Sequence, residues 1–235
     1  MLVRLDKWLS EKSSLTRSEA KDALKKGRVL VNGQTVKDPS LKLNTEADEV
    51  ILDGNKLIYE ENVYFVLNKP AGFVTSTSDS DGVNVMSLLK GEVTKNLFPV
   101  GRLDKDTEGL LLITDDGELA HRLLSPKKHV KKTYYVECQN SISDLEIDFL
   151  RNGVDIGDDT PTKKSEVTRI DDKIINLSIT EGRFHQVKRM LEAVENKVVY
   201  LKRLSFGNLV LEDLGINPGE YRKLNPNEID ILKRS

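Results

Sequence analysis

One cysteine, Cys138, stands in 235 residues. That excludes an internal disulfide framework and leaves too few thiols for a thiolate metal site. Three histidines, His121, His129 and His185, fall in separate segments, so no metal centre is expected. No apolar run is long enough to cross a membrane and no signal-peptide core opens the chain, so a cytoplasmic protein is expected. There is no Pro- or Gly-rich linker, no internal repeat and no low-complexity segment. A formal net charge of −2 argues mildly against a nucleic-acid partner when taken alone. What is present is ordinary for a soluble globular chain: 38% hydrophobic and 31% charged residues, enough for one large domain or two modest ones.

The distribution of charge says more than its sum. Arg4, Lys7, Lys12, Arg17, Lys21, Lys25, Lys26 and Arg28 make the N-terminal stretch net basic. Lys127, Lys128, Lys131 and Lys132 form a second cluster, and Arg183, Lys188, Arg189, Lys202 and Arg203 a third. Solvated helix faces are the default reading of such runs; three in one small protein point to a phosphate-tracking surface.

Leu5, Trp8 and Leu9 at helical spacing predict an amphipathic helix over Leu2 to Lys12. Thr16 followed by Glu19 is a capping box for a second helix that ends at Gly27. Val29 to Val31, the turn Asn32-Gly33 and Gln34 to Lys37 read as a hairpin, and Glu49 to Leu52 leads into Asp53-Gly54 as another. Glu60-Glu61-Asn62 is a polar break, which sets domains at 1–60 and 61–235. Beyond it, strands are predicted over Tyr64 to Leu67, Thr107 to Thr114, Thr133 to Cys138, Ser165 to Ile170, Lys173 to Thr180 and Val198 to Leu204. Ser76 to Gly82 reads as a polar loop. Helices are predicted over Val83 to Lys90, Glu118 to Leu124, Ser143 to Arg151, Phe184 to Val194 and Pro226 to Lys233. Many strands with a few covering helices make an α+β protein with a largely antiparallel mixed sheet flanked by helices.

FPVGRLDKDTEGLLLITDDG, Phe98 to Gly117, organises the rest. Leu110 to Ile113 is a buried strand run closed by Asp116-Gly117, so Asp104 sits on a loop held against a rigid strand beside Gly101. A carboxylate so fixed suits a nucleophile or general base, although a lone aspartate in such a loop is commonly a turn cap.

GRLDKDTEGLLLITDDG resembles the signature motif of the pseudouridine synthases, in the form of the RsuA-type branch that modifies ribosomal RNA. LNKPAGFVTS at Leu67 to Ser76, KKTYYV at Lys131 to Val136 and ITEGRFHQVKRML at Ile179 to Leu191 follow the same order as in that family. The two N-terminal helices and small hairpins resemble the S4 (αL-type) RNA-binding domain. The resemblance implies an isomerase that turns a uridine of 16S ribosomal RNA, the RsuA-type site uridine-516, into pseudouridine with no cofactor. It implies Asp104 as the essential carboxylate, Lys188 as its basic partner and Tyr134 as a ring that stacks on uracil. Lys188 stands where many members have arginine, a point charge in place of a planar fork. Such a cation within a few ångström favours the ionised carboxylate. Arg102 is expected to fill the vacated base stack or hold its phosphate, with Lys69, Gly101, Leu103, His185, Gln186 and Arg189 shaping the pocket. His185 is read as structural with a hydrogen bond. In the S4 segment, Arg4, Lys7, Arg17, Lys21 and Arg28 are expected near phosphates. The partner is then 16S RNA or a small-subunit assembly intermediate, with no membrane, and the chain is expected to act as a monomer.

Three alternatives stay open: a synthase of the same superfamily acting on 23S RNA, a non-catalytic RNA-binding assembly factor, and an acid-base hydrolase built on Asp104. The last lacks a second carboxylate with a part to play, Asp106 and Glu108 being read as solvent-exposed.

Overall fold

In the computed structural model, which describes residues 2–45, 47–57, 62–78, 80, 82–92, 94 and 96–235, the chain divides into two compact units. One comprises Met1–Asn62 with Gly91–Asn96, the other Val63–Lys90 with Leu97–Ser235. Glu60 and Glu61 of the expected break lie outside the described residues, as do Asp79 and Asp81 of the expected polar loop.

The first unit opens with strand β1 (Leu2–Arg4), then α1 (Leu5–Lys12) and α2 (Arg17–Lys25). The helix expected from Leu2 therefore starts three residues later. Val3 pairs with Leu43 of β4 (Lys42–Asn44) and both are buried, and this ladder takes the backbone groups a first helical turn would have left unpaired. At α2 the capping box between Thr16 and Glu19 is complete in both directions. β2 (Val29–Val31), β3 (Gln34–Thr35), β5 (Val50–Leu52) and β6 (Asn55–Leu57) form an antiparallel sheet in the order β3-β2-β5-β6. Both expected hairpin turns have positive φ at their central residues, Asn32-Gly33 at 50° and 77° and Asp53-Gly54 at 52° and 80°. That is the form whose twist matches the flanking strands. Leu5, Trp8 and Leu9 pack against Ala20, Ala23 and Leu24 over Val29 and Val50.

The second unit is built on β7 (Tyr64–Lys69), β8 (Phe98–Pro99), β9 (Glu108–Thr114), β10 (Lys132–Cys138), β11 (Glu166–Asp171), β12 (Ile174–Ile179), β13 (Val198–Phe206), β14 (Leu209–Val210) and β15 (Tyr221–Lys223). The path β11-β12-β10-β13-β9-β7-β15 carries β14 on β13 and β8 on β9. Among the described residues its ladders are antiparallel except β9 with β13. α3 (Gly117–Leu124), α4 (Asp144–Asn152), α5 (Gln186–Glu192) and α6 (Pro226–Lys233) flank it, so the α+β class with a mostly antiparallel mixed sheet holds.

The sheet has a core on each face. Phe65, Leu67, Leu111 and Ile113 join one cluster, and Tyr64, Val66, Leu110 and Leu112 the other. Successive strand residues point to opposite faces, so a strand covered on both sides must read as an unbroken apolar run, and Leu110 to Ile113 does.

Two expected helices differ. Over Val83 to Lys90 there is a single 3₁₀ turn, Val85–Leu88. Asn84 caps it from below while Val85 donates to the Val74 carbonyl, which keeps the preceding residues extended. α5 begins at Gln186, not Phe184, because His185 sits in the left-handed region at φ 48°, ψ 33°.

Candidate active site

The loop from Val100 to Thr107, between β8 and β9, is folded around an ammonium group. Lys69, at the end of β7 and fully buried, donates through Nζ to the carbonyls of Pro70 (3.2 Å), Asp104 (3.0 Å), Lys105 (3.3 Å) and Thr107 (2.7 Å). Burial pulls its pKa down to about 8 against the opposing pull of Asp106, Asp104 and Glu108. Thr75 Oγ1 donates to the Leu103 carbonyl at 2.7 Å and accepts from its amide at 3.2 Å, which clamps the loop from the other side. Gly101 has φ +75°, and a Cβ there would stand 3.0 Å from Leu124.

The held carboxylate lines a cavity of about 550 Å³, shared with Arg102, Leu103, Tyr134, His185 and Lys188. That volume suits a single nucleotide-sized ligand. Lys188 Nζ lies 3.2 Å from Asp104 Oδ2, and His185 Nε2 lies 3.5 Å from Oδ1, an ion pair only when the imidazole is protonated. The His185 ring stacks on Phe184 at 3.8 Å between centroids, so it is braced on one side. Tyr134 projects from β10 on the same buried face as Lys132 and Val136.

Lys188 has a second partner that sequence reasoning set aside. Asp106 takes it at 2.7 and 2.9 Å, closer than Asp104 does. Burial works to lower the Lys188 pKa, but the hydrogen bonds it donates to Asp106 and Asp104 outweigh it and hold the ammonium above its ordinary value. The Lys188 bond in turn holds the Asp106 carboxyl below its ordinary range. Asp106 is exposed, as expected, yet it is paired. A point charge can serve two carboxylates at once, which a bidentate guanidinium does less readily.

Not every expected residue faces the cavity. Lys69 and Arg189 do not line it. Arg189 donates to the Phe184 carbonyl (3.1 Å), to Asp158 (2.5 Å) and to the Ile156 carbonyl, fixing the segment before α5. Gln186 lines the cavity but is also committed, accepting from the Arg183 amide at 2.9 Å and donating to buried Glu181 at 2.8 Å. Arg102 is exposed at the cavity.

Two members of the basic clusters are misplaced by the sequence reading. Lys132 and Arg203 are 7% and 2% exposed and line the cavity with Phe206. Phe184, expected as the first residue of a helix, lies outside it and is 70% exposed at the same cavity. Alternation along β10 was the available signal for Lys132, since it shares a face with Tyr134; nothing local marks Arg203 or Phe184.

In the first unit the expected RNA contacts are mostly paired. Arg4 (3.1 Å) and Arg17 (3.4 Å) close on the buried carboxylate of Asp6. Arg28 grips Asp53 with two hydrogen bonds, and Lys7 lies 3.7 Å from Glu11. Lys21 is exposed on α2, with no carboxylate partner among the described residues. No cluster of three metal-ligating side chains occurs among the described residues, and no helix there is long and apolar enough to cross a membrane.

Residues 63–193 match the family model for RNA pseudouridylate synthase, and residues 3–50 that for the S4 domain. A ribosomal small subunit pseudouridine synthase A of Haemophilus influenzae is 41% identical over 232 residues, covering 98% of this chain and 99% of that one. The protein of the same name from Escherichia coli is 41% identical over 229 residues, covering 97% and 98%. An RNA pseudouridine synthase of Bacillus subtilis is 46% identical over 235 residues, 98% of each chain. A crystal structure of pseudouridylate synthase matches with TM-score 0.69 and 40% identity over 98% of this chain and 99% of that one.

Proposed function

The chain belongs to the RNA pseudouridylate synthase family, and from that premise we propose that it isomerises one uridine of 16S ribosomal RNA, the RsuA-type uridine-516, with Asp104 as the essential carboxylate. The observation that carries this reading is Asp104 inside a cavity of about 550 Å³, on a loop clamped by Lys69 and beside Lys188 and Tyr134. The curated relatives that bear a small-subunit name are alike over nearly their whole length, which favours 16S over 23S RNA.

The chemistry breaks the bond from ribose C1′ to N1 of uracil, turns the base and joins C1′ to C5. The target nucleotide is flipped out of its helix, at a cost of a few kcal/mol. Asp104 acts at the sugar, with Lys188, 3.2 Å from its Oδ2, holding the carboxylate in place. Tyr134, which lines the cavity, packs on the base, and its hydroxyl relays the C5 proton. Arg102, exposed at the cavity, fills the gap the base leaves or holds its phosphate. Residues 1–60 serve as a second hold on folded RNA, with Lys7, Lys21 and the water-facing edges of Arg4, Arg17 and Arg28 toward phosphates, and residues 61–235 as the catalytic domain.

Site-resolved pseudouridine mapping of ribosomal RNA tests this, in cells lacking the gene and complemented with the wild type or Asp104→Asn. Loss of one 16S site, restored by the wild type alone, is the expected result. Loss of a 23S site instead moves the target to the large subunit. Persistence of every site, with purified protein inactive on small-subunit particles, removes the enzymatic reading.

A further inference from the structure

Lys132 and Arg203 are a pair of buried cations that no carboxylate touches among the described residues. Register sets Phe206 opposite Lys132 and Arg203 opposite Tyr134 across β10 and β13. The Lys132 ammonium lies 5.3 Å and the Arg203 guanidinium 5.1 Å from the centre of the same Phe206 ring. Lys132 Nζ donates to the Val130 carbonyl at 3.0 Å and Arg203 Nε to the Leu110 carbonyl at 2.7 Å. Among the described residues Arg203 Nη2 is buried with no hydrogen-bond partner, and neither side chain meets a carboxylate. The Arg203 backbone is drawn in by Gly109, where a Cβ would stand 2.3 Å from the Arg203 carbonyl oxygen.

Two like charges out of water cost several kcal/mol each unless something negative joins them. Burial, and then the charge of Arg203, pull the Lys132 pKa down to about 8. The occupant must reach groups that are 7% and 2% exposed. A phosphate is held at the rim by the RNA chain it belongs to, whereas a flipped base enters the cavity. On the synthase reading given above, that base leaves C1′ with the electron pair of the C1′–N1 bond, whether Asp104 attacks C1′ or the C2′ proton is removed. The negative charge then spreads over O2 and O4.

We propose that Lys132 and Arg203 donate to a carbonyl oxygen of the uracil and hold its negative charge while the base is detached. Electrons and protons balance: C1′–N1 breaks with its pair on the base, C5 supplies a pair to C1′, the C5 proton leaves and N1 gains one. A half-turn about the N3–C6 axis exchanges O2 with O4, so one donor-only subsite fits the base before and after it turns. Cytosine breaks that symmetry, since its 4-amino group would meet two cations in one of the two orientations. The pair is therefore both an oxyanion hole and a reason for choosing uracil.

The test is single-turnover release of tritium from ribosomal RNA labelled at uridine C5, the position that loses its hydrogen, with RNA affinity measured alongside. Lys132→Met and Arg203→Gln are expected to slow release by about 100-fold with RNA affinity changed by less than about threefold. Lys132→Arg is expected to recover most of the loss. Should Arg203→Gln fail to fold, Lys132→Met decides by itself. A Lys132→Met rate within about threefold of wild type overturns the proposal, and so does weakened RNA binding with an unchanged rate at saturation, which would put the cations on a phosphate. Wild-type protein that releases no tritium from any ribosomal RNA overturns instead the synthase reading on which the proposal rests.

Discussion

The two units differ in the charge they bury. In the first, a carboxylate is buried and its cations stay half in water: Asp6 is inside, and Arg4 and Arg17 reach it from the surface. In the second, beside the buried carboxylate of Glu181 that Arg183 pairs, cations are buried as well. Lys69 spends its charge on four backbone carbonyls, three of them in the motif loop, while Lys132 and Arg203 line the cavity with no carboxylate in ion-pair contact among the described residues. The first arrangement is closed and holds a fold together. Lys132 and Arg203 form an open arrangement, which makes sense only with a ligand. Lys69 lies between the two: it holds the loop and does not itself line the cavity.

The comparison breaks most sharply at Asp104. Asp104→Asn keeps the shape and removes the charge at the centre of the open arrangement. Its activity on 16S RNA is expected to fall by about a thousandfold or more, with the melting temperature changed by no more than a few degrees. Equal activity in Asp104→Asn would show that the cavity's chemistry lies elsewhere. Lys69→Met should separate shaping from contact. It removes the ammonium from the carbonyls of Pro70, Asp104, Lys105 and Thr107, of which Asp104 and Lys105 keep the backbone amides of Thr107 and Gly72 as donors. The cost is about 2–3 kcal/mol, and activity is expected to fall by about a hundredfold through a displaced Asp104. Denaturant unfolding and the same RNA assay read both effects, and a stable but inactive variant would turn Lys69 into a contact residue.

Lys132→Met sharpens the contrast from the stability side. A lysine whose folded pKa is about 8, below its ordinary 10.5, binds its proton less tightly folded than unfolded. The cost of burying that charge is complete below pH 8, and stability rises as pH climbs from about 8 toward 10.5. Removing the charge should make the variant more stable at pH 7 by about 1–2 kcal/mol, an advantage that shrinks across that window. Lys69, shifted the same way, keeps part of the slope. A more stable and slower enzyme is the pattern expected where a site holds unfavourable charge for function. A less stable Lys132→Met would class the lysine with Lys69.

Much of this was legible in the sequence, and the exceptions have a common cause. Periodicity and turn chemistry act over a few residues, and they located α2, both Asn-Gly and Asp-Gly turns, β9 and α6. The GRLD segment resembled a known motif, and Asp104, Tyr134 and Lys188 line one cavity. What stayed hidden depended on the partner strand or loop. Val3 is extended because Leu43 lies across from it, and helix α5 starts late because His185 turns left-handed beside Asp104. Lys132 and Arg203 looked like surface charge because lysine and arginine nearly always are. Only the pairing of β10 with β13 brings them to one buried place. Asp106 was passed over for the same reason, its partner Lys188 being 82 positions away.

The smallest effect is expected at the closed arrangement. Hydrogen bonds from Arg4 foremost, then from Arg17, hold the Asp6 carboxyl down at about 2, although burial opposes them. The folded pKa lies below the unfolded one, so the contribution is present in full above about pH 4 and is lost as pH falls toward 2. Because Arg4 and Arg17 stand half in water, the pairs are screened and the contribution is about 1 kcal/mol. Asp6→Asn should cost about that much at pH 7, and the gap to wild type should close on acidification through that window. RNA modification by the folded variant should change by less than about threefold, since Asp6 orders its own unit and reaches no substrate. Acid titration followed by circular dichroism, with the RNA assay at pH 7, measures both. A large loss of modification with little loss of stability would mean that Asp6 aims Arg4 and Arg17 at the RNA, and that the first unit too is an open arrangement completed by a ligand.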